Sequence, residues 1–150
     1  MVRSVTTDRL PTLQRVIADE KLLDNVQARG EQLRGLLRAH YGSHPFIGDI
    51  RGRGLFIGVE LVQDRASKTP FDASKKLHAV IKSEAMKSGL MVYPMGGTVD
   101  GIVGDHVLLA PPFITTASQI DEIGARLSDA IEAALTSTGA TGFRKATIKL

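Results

Sequence analysis

Gly104-Asp105-His106-Val107-Leu108-Leu109-Ala110-Pro111-Pro112-Phe113-Ile114-Thr115 is the stretch that decides the fold. Val107 to Leu109 are apolar and β-prone. The two prolines behind them remove two backbone donors, so a sheet ladder cannot continue past Ala110. Thr116 and Gln119 then stand at capping-box spacing, ahead of Ile120, Ile123, Leu127 and Ile131 at a helical period. The stretch reads as a strand, a rigid corner and an amphipathic helix.

Upstream, apolar residues recur from Leu13 through Val16, Ile17, Leu23, Val26, Leu33, Leu36 and Leu37 near a helical period, and Gly42 and Pro45 close that helix. From Gly54 to Val62 the pattern changes to strict alternation. Leu55, Ile57, Val59 and Leu61 share one face, and Gly58 and Glu60 take the other. Asp72 is placed to cap a second helix with Leu77, Val80, Ile81 and Ala85 on its buried side and Gly89 as its stop. Strands at Leu90 to Tyr93 and His106 to Leu109 follow, joined by a glycine-rich loop. This order predicts an α+β fold, an antiparallel sheet with helices on one face.

Composition narrows the class. The 150 residues fit one domain with a real core, and the net charge of +3 is spread without a basic run, which excludes a nucleic-acid groove. There is no cysteine, hence no disulfide, thiolate metal site or cysteine nucleophile. No apolar run reaches membrane-spanning length, and Met1 to Leu10 lack a signal-peptide core. The expectation is a soluble cytoplasmic protein without membrane or nucleic-acid partners.

The same corner sequence resembles the end of the class III pyridoxal-phosphate aminotransferases of fold type I, where a Leu-Ala-Pro-Pro-Phe strand leads into the last helix. Asp49-Ile50-Arg51-Gly52-Arg53-Gly54-Leu55-Phe56-Ile57-Gly58-Val59-Glu60-Leu61 is similar to the Arg-Gly-x-Gly-Leu strand that opens their small domain, and Gly89-Leu90-Met91-Val92-Tyr93-Pro94 to the next strand. The three occur in family order. The resemblance implies a non-matching segment at 1–12 and the small C-terminal domain at 13–136; composition leaves a Gly-, Ser- and Thr-rich tail at 137–150, expected to be flexible. It also implies a bend between Lys21 and Asn25. In the whole enzyme it implies pyridoxal 5'-phosphate, a homodimer, and amino-group transfer between an amine and a keto acid.

The chemistry of such an enzyme is only partly present. A Schiff-base lysine needs a desolvated or charge-tuned setting, and the lysines here lie in polar helices and loops. No catalytic or cofactor-binding residue is therefore assigned, and the chain is expected to be a truncated piece, inactive alone. The loop from Met95 to Asp105 lacks the Gly-Lys-Ser/Thr ending of a phosphate cradle. By resemblance it faces the substrate entrance, so Gly97, Gly101, Gly104, Asp105, His106 and Leu108 are the candidate pocket wall. Amino-acid-specific members carry a carboxylate-binding arginine at the place of Leu108, and others near Gly101. No arginine occurs between Arg65 and Arg126 here, which favours an amine or ω-amino acid donor. His40 and His44 are four apart but separated by Gly42, so no metal site is expected. His78 is expected on the solvated side of its helix, and His106 as a hydrogen-bonded edge residue. The Arg51-Gly52-Arg53-Gly54 run is expected to be a turn. The rival from another class is a non-catalytic α+β interaction or regulatory domain with a self-sufficient sheet.

Overall fold

A computed structural model gives the architecture and describes residues 10–140. Residues 1–9 of the N-terminal segment and 141–150 of the tail lie outside the described residues. Helix α1 (Leu10–Asp19) runs into α2 (Leu22–Tyr41) through a break at Lys21, whose φ of 49° is left-handed. Strands β1 (Ile47–Arg53) and β2 (Phe56–Leu61) form a hairpin. Helix α3 (Leu77–Lys87), strands β3 (Tyr93–Gly96) and β4 (Asp105–Leu109), and helix α4 (Ala117–Ser137) complete the chain. The sheet is antiparallel throughout, in the order β1-β2-β4-β3. The fold is α+β, as the sequence predicts.

The alternation in β2 sets the two faces. Leu55, Ile57, Val59 and Leu61 are buried beneath the helices, joined by Val107 and Leu109 of β4. Onto them pack Leu33, Leu37 and Tyr41 of α2, Leu77 and Ile81 of α3, and Ile120, Leu127 and Ile131 of α4. Each such side chain contributes about 1.5–3 kcal/mol of transfer free energy before ordering entropy is counted. At mid-α2 a Cβ on Gly30 would lie 2.2 Å from the Gly54 carbonyl oxygen, so helix backbone rests directly on the β1–β2 turn. Only a glycine at position 30 permits that approach, and the left-handed φ of Gly54 shapes the turn it rests on.

The capping box forms as spaced. Thr116 Oγ1 accepts from Gln119 N–H at 3.3 Å, and Gln119 Oε1 accepts from Thr116 N–H at 2.9 Å. The proline corner is tied to α2 through Asn25, whose Nδ2 donates to the carbonyls of Phe113 (2.7 Å) and Thr115 (3.0 Å). Along the helix pair, Gln32 Nε2 donates to Asp121 Oδ1 at 2.7 Å, His40 Nε2 lies 2.6 Å from Ser128 Oγ, and His44 Nε2 lies 3.1 Å from Glu132 Oε1. His44 Nδ1 accepts from Phe46 N–H, so its proton sits on Nε2 and is donated to Glu132.

Several local expectations are corrected. Arg51-Gly52-Arg53 is strand, not turn; the reversal is at Gly54 and Leu55, and what reads as one strand from Asp49 is a hairpin. Asp72 caps a short 3-10 turn, Ala73–Lys75, by accepting from Ser74 N–H at 2.8 Å, and α3 begins only after Lys76 with φ 46°. The third strand is displaced to Tyr93–Gly96, and β4 starts at Asp105. β4 lies between β2 and β3, so His106 is interior rather than at an edge.

Val59→Asp places an unpaired carboxylate in this core and is expected to lower stability by more than about 3 kcal/mol. Glu60→Gln, on the opposite face, is expected to cost about 1 kcal/mol or less. Denaturant midpoints of the two variants check the strand register; equal losses contradict it.

Candidate functional site

The face of the sheet away from the helices carries a hollow edged by charged side chains. Cross-strand pairing lines up Arg51, Gly58, Leu108 and Tyr93 in one row and Asp49, Glu60, His106 and Met95 in the next. Arg51 Nη1 donates to Glu60 Oε2 at 2.8 Å and to Asp49 Oδ2 at 3.0 Å. The hydrogen bond from Arg51 holds the Asp49 carboxyl below its usual range. A hollow of about 220 Å³ lies among Arg51, Phe56, Glu60, Thr98, His106 and Leu108. Beside it, an apolar groove of about 600 Å³ runs past Phe56, Tyr93 and Leu108 to the prolines Pro111 and Pro112. Leu108 borders both.

The loop 97–104 is internally bonded. Thr98 N–H donates to Gly104 O (3.2 Å), Val99 N–H to Val103 O (3.0 Å) and Gly101 N–H to Gly97 O (3.0 Å). Asp100 Oδ1 accepts from Ile102 and Val103 N–H, both at 2.8 Å, and these bonds lower its carboxyl below the usual range. Gly97, Gly101 and Gly104 take φ of 75°, 86° and 95°, which L side chains rarely adopt. The tip presents Val99 and Ile102 to solvent.

The candidate wall residues are divided between the two faces. His106 and Leu108 border the hollow, with Thr98 Oγ1 2.6 Å from His106 Nδ1. Gly97 and Gly104 stand at the base of the loop, while Gly101 is at its tip with nothing within 4 Å of an added Cβ. Asp105 turns to the helix side, where it is 5% exposed and its Oδ1 meets His78 Nδ1 at 2.6 Å. His78 is therefore half-buried and partnered, not simply solvated. Arg51, Phe56 and Tyr93 join the open face although the sequence does not mark them. The only cue to such residues is the outward half of the β2 alternation, because the register of β1 and β3 is not written locally.

The described residues do not fit the cofactor of a Schiff-base enzyme. The described lysines are exposed, apart from half-buried Lys75, whose Nζ lies 5.6 Å from the Phe71 ring centroid. None lines the hollow or the groove. Among the described residues no cluster of His, Asp and Glu could hold a metal ion, and no helix is long and apolar enough to cross a membrane.

Residues 10–131 match the model of the aminotransferase class-III family. The hypotaurine/taurine–pyruvate aminotransferase of Paracoccus denitrificans is 43% identical over 122 residues, 81% of this chain and 25% of that protein. An uncharacterized aminotransferase of Schizosaccharomyces pombe is 42% identical over 119 residues, 79% of this chain and 26% of its own length. Among solved structures, a PLP-bound aminotransferase mutant from Vibrio fluvialis superposes with TM-score 0.74 at 31% identity, covering 83% of this chain and 26% of that one. The omega transaminase of Pseudomonas jessenii in complex with PMP gives 0.72 at 31%, covering 85% and 26%. The chain belongs to the class III aminotransferase family. It spans about a quarter of the length of the relatives it matches.

His106 supplies a test of the open face. Burial, then the charge of Arg51, pushes its imidazole below the ordinary 6.5. A lowered histidine pKa favours the neutral ring in the folded state, so its contribution is present above pH 6.5 and lost as pH falls through the lower folded value. The expected result is a ring titration below 6.5 by NMR. Stability should fall with acidification over that window more steeply than in His106→Asn, the difference cancelling the other histidines.

Proposed function

We propose that residues 13–136 are the small C-terminal domain portion of a class III aminotransferase. In the whole protein this portion forms a wall of the pocket where an amino group passes between an amine or ω-amino acid and a keto acid. The observation that carries the reading is the one-sided sheet. Its inner face is used by the helices, while its outer face keeps a hollow edged by charged side chains, with an apolar groove and a pre-shaped loop beside it. Pyridoxal 5'-phosphate supplies the electron sink for such a transfer, and its lysine is expected from the part of the relatives that this chain does not match. The working assembly is a cytoplasmic homodimer, and this chain by itself is not an active transaminase.

The donor follows from the charges on the face. No arginine lies between Arg65 and Arg126, and Arg51 is engaged by two carboxylates, so neither the Leu108 position nor Arg51 offers a free guanidinium to fork a substrate carboxylate. Relatives named for taurine and γ-aminobutyrate support a donor whose amine is remote from its acid group.

Two experiments test this. The purified chain, mixed with the cofactor and dialysed, is expected to retain no visible cofactor absorbance. A retained band abolished by one Lys→Ala substitution contradicts the assignment of the lysine elsewhere. In a full-length relative carrying residues 13–136, Leu108→Arg is expected to favour carboxylate-bearing donors over simple amines by about 1.5–3 kcal/mol, read as the ratio of kcat/KM values. An unchanged ratio in a folded, cofactor-loaded enzyme makes this face a connection rather than a pocket wall.

A further inference from the structure

We propose that His78 and Asp105 are positioning residues that set the orientation of loop 97–104 from the face of the sheet opposite the hollow. The proposal rests on the reading of that loop as part of the substrate pocket.

Asp105 is a carboxylate buried on the helix side of the sheet, a placement that is costly unless the charge is partnered. Its Oδ1 accepts twice from one residue, from His78 N–H at 3.0 Å and from His78 Nδ1–H at 2.6 Å. The first of these is an N–H of the opening turn of α3, which has no intrahelical acceptor. Lys76, at the N-cap, provides no side-chain bond. A strand residue thus caps a helix 27 positions earlier in sequence.

The second bond ties the loop. Gly96 and Asp105 are paired across β3 and β4, and the eight loop residues 97–104 hang between them. The His78 ring lies against Gly96 so closely that a Cβ there would meet Cε1 at 2.6 Å and Nδ1 at 2.7 Å. One imidazole therefore touches both stems of the loop. On the other face Thr98 Oγ1 meets His106 Nδ1 at 2.6 Å, so the stems are gripped from both sides. Because the loop is cross-linked within itself, a change of angle at the stems carries the whole loop with it.

His78→Ala removes the ring bond but keeps the backbone N–H that Asp105 caps. His78→Asn returns a donor near the place of Nδ1. By amide exchange on the 150-residue chain, His78→Ala is expected to speed exchange of Thr98, Val99 and Gly101 about tenfold, the scale of one hydrogen bond. Val59, Val107 and Leu127 should stay unchanged, and His78→Asn should restore the loop. If His78→Ala fails to fold, Gly96→Ala, which displaces the ring, is the variant to read. Exchange that is unaltered, or raised equally across the core, overturns the brace. In a full-length relative carrying residues 13–136, His78→Ala is expected to raise the amine KM several-fold while kcat and cofactor occupancy hold, with rescue by His78→Asn. Loop-confined exchange with an unchanged KM overturns the pocket reading on which the positioning role rests, and not the brace.

Discussion

The contact on which the domain depends is between two residues that have no side chains. Gly30 of α2 meets the backbone of Gly54 in the β1–β2 turn at a distance that no Cβ on residue 30 would allow. That approach lays α2 over the hairpin. It brings Leu33, Leu37 and Tyr41 into one cluster with Ile57, Val59 and Leu61. Close packing of this kind leaves no room for adjustment, since interiors are as dense as organic crystals. A bulkier residue at Gly30 would meet the Gly54 backbone and lift the helix, opening the layer between them.

With the helices committed to one face, the chemistry is left to the other. The open face is not simply a solvated surface. Arg51 joins Asp49 and Glu60 across two strands, His106 is held by Thr98, and apolar Phe56, Tyr93 and Leu108 stand next to them. Exposed ion pairs of this sort add little to stability in water. Their effect is to fix the direction of a guanidinium and to remove it from competition for other anions.

What was legible in the sequence was what is encoded locally. The Thr116–Gln119 box, the alternation from Leu55 to Leu61 and the stop at Gly89 each lie within a few residues and appear as read. β1 was hidden because its inward positions are Ile47, Ile50 and Gly52, with a bulge near Gly48 that breaks the period of two. β3 carries Pro94, a residue that argues against a strand until it is known to lie at an edge. The family was legible from three motifs in order, yet the site was legible only in part. His106 and Leu108 belong to the open face, whereas the rows that surround them are assembled across three strands whose registers no short stretch specifies. Asp105 and His106 differ for a simpler reason: neighbours in a strand point to opposite sides.

The clasps between α2 and the last part of the chain have a kinetic consequence. Asn25 to Phe113, Gln32 to Asp121, His40 to Ser128 and His44 to Glu132 span 88, 89, 88 and 88 residues. So constant an interval means that α2 and α4 run parallel, and that α2 can be clasped only once some ninety further residues have been made. Such long-range closure slows folding, because the entropy of the intervening loop is lost before any contact repays it. On the ribosome, α2 is made early and must wait for nearly the whole domain to emerge before His40 and His44 meet Ser128 and Glu132. The domain is therefore completed from its C-terminal end, and a nascent chain that stalls before α4 leaves the apolar side of α2 uncovered.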